Sequence, residues 1–162
     1  MNALTILERC KRGEGEIKRM QEGIDRLHEI AEGAGVARMD VTGVGGSGAY
    51  YADRLLDIMG SVTERENELE QRKQALALER VCIMQLCEKL KQPKADVCYK
   101  YYVQGISLKV LTAEMRYART YMSKLKKQIK DEFEQIKVDD FFPAWYMEKF
   151  GFDEMTEWRA AQ

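Results

Sequence analysis

The sequence predicts an all-α chain, a long helical hairpin or coiled-coil segment followed by a small helix-turn-helix domain. Three observations carry this expectation. Apolar residues recur at three-four spacing through residues 3–31, and every seventh position from Val62 to Leu90 is apolar, the period of helices that bury one stripe. The only prolines are Pro93 and Pro143, which leaves room for two long helices before residue 93. Between residues 94 and 130, three short helical patterns are separated by a glycine and a tight turn.

The first segment, residues 1–92, reads as the hairpin. Its first helix, about residues 3–31, sets Ala3, Ile6, Cys10, Gly13, Ile17, Met20, Ile24, Leu27 and Ala31 along one seam. Gly13 and Gly15 are expected to weaken its early turns. Residues 32–49 read as a loop, because half of the 12 glycines fall between Gly33 and Gly48. The second helix, about residues 50–91, repeats Val62, Leu69, Leu76, Ile83 and Leu90. Leu55, Leu56, Ile58 and Met59 are expected to widen the stripe at one end, and Val81, Met84, Leu86 and Cys87 at the other. Glu64 to Lys73 is nearly all charged, so burial there must be shallow. Neither helix can bury its seam alone, which leaves an antiparallel hairpin or association of two copies through the seams.

Charge divides the chain further. The formal net charge is −1, yet residues 94–130 carry nine basic and two acidic side chains, while residues 131–162 carry three basic and nine acidic. A compact basic segment in a near-neutral chain is the footprint of a polyanion-binding module.

That basic segment lies in residues 93–137, the expected helix-turn-helix domain. Lys94 to Val103 reads as a helix with Val97, Cys98, Tyr101 and Tyr102 on its apolar side. Gly105 can adopt the left-handed conformation that ends it. Ser107 is suited to cap the next helix, Leu108 to Met115, which would bury Leu108, Leu111 and Met115. Arg116 and Tyr117 form a turn. A longer helix then starts at Ala118 with Met122, Leu125, Ile129, Phe133 and Ile136 as its buried stripe. At about 100° per residue, Thr120, Lys124 and Lys127 lie opposite that stripe, with Arg116, Arg119, Ser123, Lys126 and Lys130 beside them. Together with Tyr117, these are the candidate DNA-binding residues, able to reach phosphates and, near the helix start, base edges.

The run Tyr101-Tyr102-Val103-Gln104-Gly105-Ile106-Ser107, followed by Leu111, Met115, Tyr117, Met122 and Leu125, resembles the signature of sigma-factor region four. It is similar in particular to the phage regulators of the ArpU/RinA type. The resemblance covers residues 94–133, and Val41 to Met59 is loosely similar to the loop and helix start of the same group. It implies a phage or prophage transcription regulator in the cytoplasm of a bacterial host. Such a protein binds double-stranded promoter DNA, with RNA polymerase as a further partner; the heptad seams, separately, allow a homo-oligomer. Thr112 and Ala118 stand where the pattern carries an alanine and a capping serine. The other reading of the same residues is a protein-interaction module that keeps the helix-turn-helix shape without strong DNA binding.

The third segment, residues 138–162, is an acidic aromatic tail containing Phe141, Phe142, Trp145, Tyr146, Phe150, Phe152 and Trp158. So many aromatic rings need burial. The tail either folds back on the helical domain, docks a partner or masks the basic helix.

Other signals are weaker. Gly43 to Gly48 satisfies G-x-G-x-x-G as a string, but no strand–helix–strand unit surrounds it. His28, the single histidine, follows Leu27 beside the seam, and Cys10, Cys82, Cys87 and Cys98 lack the close spacing of zinc ligands. The cysteines are expected to be reduced core residues, with no metal and no cofactor bound. The glutamates at 64, 66, 68 and 70 alternate with basic residues, as on a solvated helix. No nucleophile–base pair or carboxylate dyad supports an enzyme. No apolar run nears the ~20 residues of a membrane span, and Met1 to Lys11 lacks the apolar core of a secretory signal.

Overall fold

The computed structural model describes the backbone of residues 1–40 and 48–151 and the side chains of residues 1–33 and 52–151. These residues are all-α. Helix α1 spans Ala3–Asp40, α2 Gly48–Glu88, α3 Lys94–Cys98, α4 Leu108–Met115, α5 Arg119–Glu134 and α6 Ala144–Phe150. A π-turn, Tyr99–Val103, extends α3, and a 3-10 turn, Asp139–Phe141, precedes α6. Among the described residues the one β-type pairing is an isolated bridge between Asn2 and Lys137. No described helix is long and apolar enough to cross a membrane.

The expected loop at 32–49 is shorter than its glycine content suggests, because α1 continues through residues 32–40 and α2 begins at Gly48. A glycine costs a helix interior only about 1 kcal/mol relative to alanine, too little to stop a helix that gains a hydrogen bond with each added residue. The G-x-G-x-x-G string lies almost wholly outside the described residues. So do Phe152 and Trp158. Gly13 and Gly15 likewise leave α1 unbroken.

The chain divides into two compact units that cut across the three segments drawn from sequence: Glu14–Gln74, and Met1–Gly13 together with Ala75–Gln162. In Glu14–Gln74, α1 and α2 pair antiparallel. Ile24, Val62 and Leu69 form the buried centre, with Ile17, Met20, Leu27 and Ile58 packed against it. Burial is shallow across the charged stretch, where Leu69 and Arg72 are the buried side chains between residues 64 and 73. Arg72 is held by Glu16 at 2.8 Å, and His28 faces Glu66 at 3.4 Å. Leu56 and Met59 do not widen the stripe but point to solvent, Leu56 with 69% of its surface exposed. A single partner helix covers only one arc of another, and these two positions fall outside it.

The other unit builds its core from sequence-distant pieces. Ile6, Leu7 and Cys10 of α1, Leu76, Ile83 and Cys87 of α2, and Leu111, Met122, Ile129 and Phe133 of α4 and α5 are all buried. Val81 and Met84, which the sequence pattern assigns to this stripe, are exposed. Of the three residues expected to be buried on α4, Leu111 is buried fully and Leu108 and Met115 partly. Ile136 lies beyond the end of α5 and is half-buried. The chain ends of the core are stitched together by backbone bonds: Ala3 N–H donates to Ile136 O at 2.8 Å, and Val138 N–H to Met1 O at 3.3 Å.

The described part of the aromatic tail folds into this core. Val138, Phe142 and Tyr146 are buried, and Phe142 stacks on Tyr146 with ring centres 4.2 Å apart. Tyr146 Oη donates to Oε1 of the fully buried Glu79 at 2.9 Å. Burial, reinforced by the Glu79 charge, pushes the Tyr146 hydroxyl well above its ordinary pKa, so it remains a donor. Tyr146→Phe removes that donor from a buried acidic side chain, a loss that typically costs about 1–3 kcal/mol. The variant should unfold at lower urea concentration with an unchanged denaturant slope; an unchanged midpoint would show that Glu79 does not depend on this bond.

Candidate nucleic-acid interface

The basic segment folds as α3, the π-turn, α4 and α5. Gly105 adopts a left-handed φ of 70°, which closes the break after the π-turn. Ser107 caps α4, its side chain accepting from the Val110 N–H at 3.4 Å. Thr112 bonds back to Leu108 O at 2.6 Å within α4. Arg116 then takes a φ of 54°, a left-handed conformation that is strained for a side chain with Cβ. Its N–H and that of Tyr117 bond back to the Ala113 and Thr112 carbonyls. Arg116, Tyr117 and Ala118 form the turn between α4 and α5. Ala118 occupies the N-cap of α5 with no side-chain bond to the helix amides.

Helix α5 is strongly one-sided. Met122, Leu125, Ile129 and Phe133 are buried. Arg116, Arg119, Thr120, Ser123, Lys124 and Lys127 are exposed. Tyr117 is half-buried and meets exposed Tyr121 edge to face, with ring centres 5.1 Å apart. No ion pair holds Arg116, Arg119, Lys124 or Lys127 among the described residues.

Two of the nine candidates turn the other way. Lys130 pairs with Glu8 of α1, and Lys126 lies 5.2 Å from the centre of the Tyr101 ring. Both sit at the border between the buried and outward arcs of α5, where α1 comes within reach. Lys94 pairs with Glu132 and Lys100 with Glu114. Three of the segment's nine cations are therefore engaged in ion pairs, and the outward charge centres on Arg116, Arg119, Lys124 and Lys127.

Sequence spacing does not single out Lys11 and Arg12 of α1, which lie beside the same helix. Lys11 donates to Tyr101 Oη and stands over its ring at 3.8 Å. The pairing spans 90 positions, so no local pattern could reveal it. Burial raises the Tyr101 pKa, but the Lys11 hydrogen bond and the charges of Lys11 and Lys126 outweigh it and bring the hydroxyl below its ordinary value. The Lys130 hydrogen bond holds the Glu8 carboxyl below its ordinary value against the opposing effect of burial.

Among the described residues, no group of three or more His, Cys, Asp or Glu side chains could hold a metal ion. All four cysteines are buried, and the Cys87 thiol donates to Cys98 at 2.8 Å. That bond and burial push the Cys98 thiol far up, and burial raises Cys82 to about 11. Both remain protonated near neutral pH.

The open cap of α5 and the Glu8–Lys130 pair can each be tested. Ala118→Ser supplies the missing cap and should add about 1 kcal/mol of stability, read as a Tm higher by roughly 2–4 °C; an unchanged or lower Tm would show that these amides need no cap. Because the folded pKa of Glu8 is depressed, its contribution is present above the ordinary carboxylate value and lost as pH falls through the depressed one. Glu8→Gln should therefore cost stability near neutral pH, with the difference from the unaltered protein closing in acid. Urea melts between pH 7 and 3 check this. Comparison with protein-family models, with curated proteins and with solved structures finds no match for this chain.

Proposed function

We propose that this protein is a DNA-binding transcription regulator of phage or prophage type, and that α4 and α5 act as its helix-turn-helix. The observation that carries the reading is the outward face of α5, where Arg116, Arg119, Thr120, Ser123, Lys124 and Lys127 stand exposed opposite a buried stripe. An α-helix fits the major groove of duplex DNA. Lysine and arginine on such a face reach phosphates on either side, while Thr120 and Ser123 near the helix start meet base edges. The uncapped amides at Ala118 lie at the positive end of the helix, where an anion is favoured. The resemblance of residues 94–133 to sigma-factor region four supports promoter DNA as the target and RNA polymerase as a neighbour.

A second reading, a protein-interaction module, draws on a different surface. Val81, Met84 and Tyr99 are exposed apolar side chains, and a groove of about 320 Å³ is lined by Met84, Leu90 and Tyr99 among others. Under this reading the groove docks RNA polymerase or a second copy of the chain, and α5 contributes little to DNA affinity.

Duplex DNA binding should weaken steeply with salt, each phosphate-contacting cation contributing about 0.9 to the slope of log K against log salt. Lys124→Gln plus Lys127→Gln should lower that slope by about 2 on the same basis. A salt titration by fluorescence polarisation reads both. An unchanged slope, or no binding to duplex at low salt together with stable capture by polymerase, would favour the second reading.

A further inference from the structure

A cavity of about 280 Å³ lies on the flank of α5 that meets α1, lined by Glu8, Lys11, Arg12, Tyr101, Tyr102, Lys126 and Lys130. Four cations and one carboxylate meet there. The carboxylate, Glu8, is already paired with Lys130. The other polar side chains in the lining are three ammonium groups and one guanidinium, which only donate, and two phenols, of which Tyr101 accepts from Lys11.

We infer that this cavity binds a phosphate group, with Lys11, Arg12 and Lys126 supplying charge-assisted hydrogen bonds. A lining with net positive charge and an excess of donors favours an anion that accepts in several directions, and phosphate does this with three or four oxygens. Arg12 adds a planar fork suited to two of them. The volume exceeds a bare phosphate and admits a sugar or a stretch of backbone beside it. The carrier is then either a free phosphorylated molecule about the size of a mononucleotide or a backbone phosphate of bound nucleic acid. The second carrier alone rests on the DNA-binding reading.

The test is calorimetric titration of the full chain at low salt with inorganic phosphate, adenosine monophosphate and adenosine. Saturable one-to-one binding of the two phosphates, with none by the nucleoside, is expected. Lys11→Gln plus Arg12→Gln should weaken it at least tenfold. Lys126→Gln should weaken it severalfold while leaving the circular dichroism spectrum unchanged. If the phosphates do not bind, or if binding ignores both variants, the inference is overturned. A short duplex titrated against the monophosphate separates the carriers. Displacement by duplex, together with weaker duplex binding in Lys11→Gln plus Arg12→Gln, assigns the cavity to backbone phosphate. Simultaneous binding of both assigns it to a free phosphorylated molecule. Duplex binding that fails everywhere while the monophosphate still binds removes the DNA-binding reading and leaves the phosphate site standing.

Discussion

The one-sided burial of α5 is the constraint on which its surroundings depend. Met122, Leu125, Ile129 and Phe133 leave solvent together, and each buried side chain of this size contributes about 1.5–3 kcal/mol relative to an exposed one. That burial fixes the rotation of the helix. Once the rotation is fixed, Thr120, Lys124 and Lys127 must face outward, while Lys126 and Lys130 must fall at the edge that meets α1. The charge pattern of the helix acquires its meaning from its apolar pattern.

The unit that holds this stripe also buries residues from both ends of the described chain. Ile6 and Leu7 come from the first turns of α1, and Phe142 and Tyr146 from the segment after α5. The Ala3–Ile136 and Val138–Met1 backbone bonds join these ends. Glu79 and Tyr146 then satisfy one another inside the core. A buried polar pair of this kind is sensitive to the loss of either member, so it ties the aromatic segment to α2 specifically and not merely by hydrophobic contact. Among the described residues of that segment, the partners are α1 and α2, and the outward cations of α5 remain exposed.

The same helix thus carries two electrostatic faces of different origin. The outward face is legible in the amino-acid sequence, because helical periodicity alone separates Lys124 and Lys127 from Leu125 and Ile129. Ser107 as a cap, Gly105 in a left-handed turn and the break at Arg116 and Tyr117 are legible for the same local reason: each is a short-range preference of backbone and side chain. The inner face is not legible. Glu8 and Lys130 are 122 positions apart and Lys11 and Tyr101 are 90 apart, and no spacing rule connects residues across such distances. The exposed Leu56, Met59, Val81 and Met84 show the opposite failure. Their apolar character is visible in the sequence, but how wide an arc a neighbour covers is a property of the neighbour.

The sequence by itself determined the all-α class, the starts of α1, α4 and α5, and the direction in which the lysines of α5 point relative to its own buried stripe. These follow from interactions within a few residues along one helix. Only the tertiary structure decided that the first turns of α1 and the last turns of α2 share a core with the basic segment. It likewise decided that Lys126 and Lys130 turn toward α1 and border a cationic cavity there. The physical reason is that side-chain burial and ion pairing depend on distance in space, and a chain that folds back on itself sets those distances independently of position along the sequence.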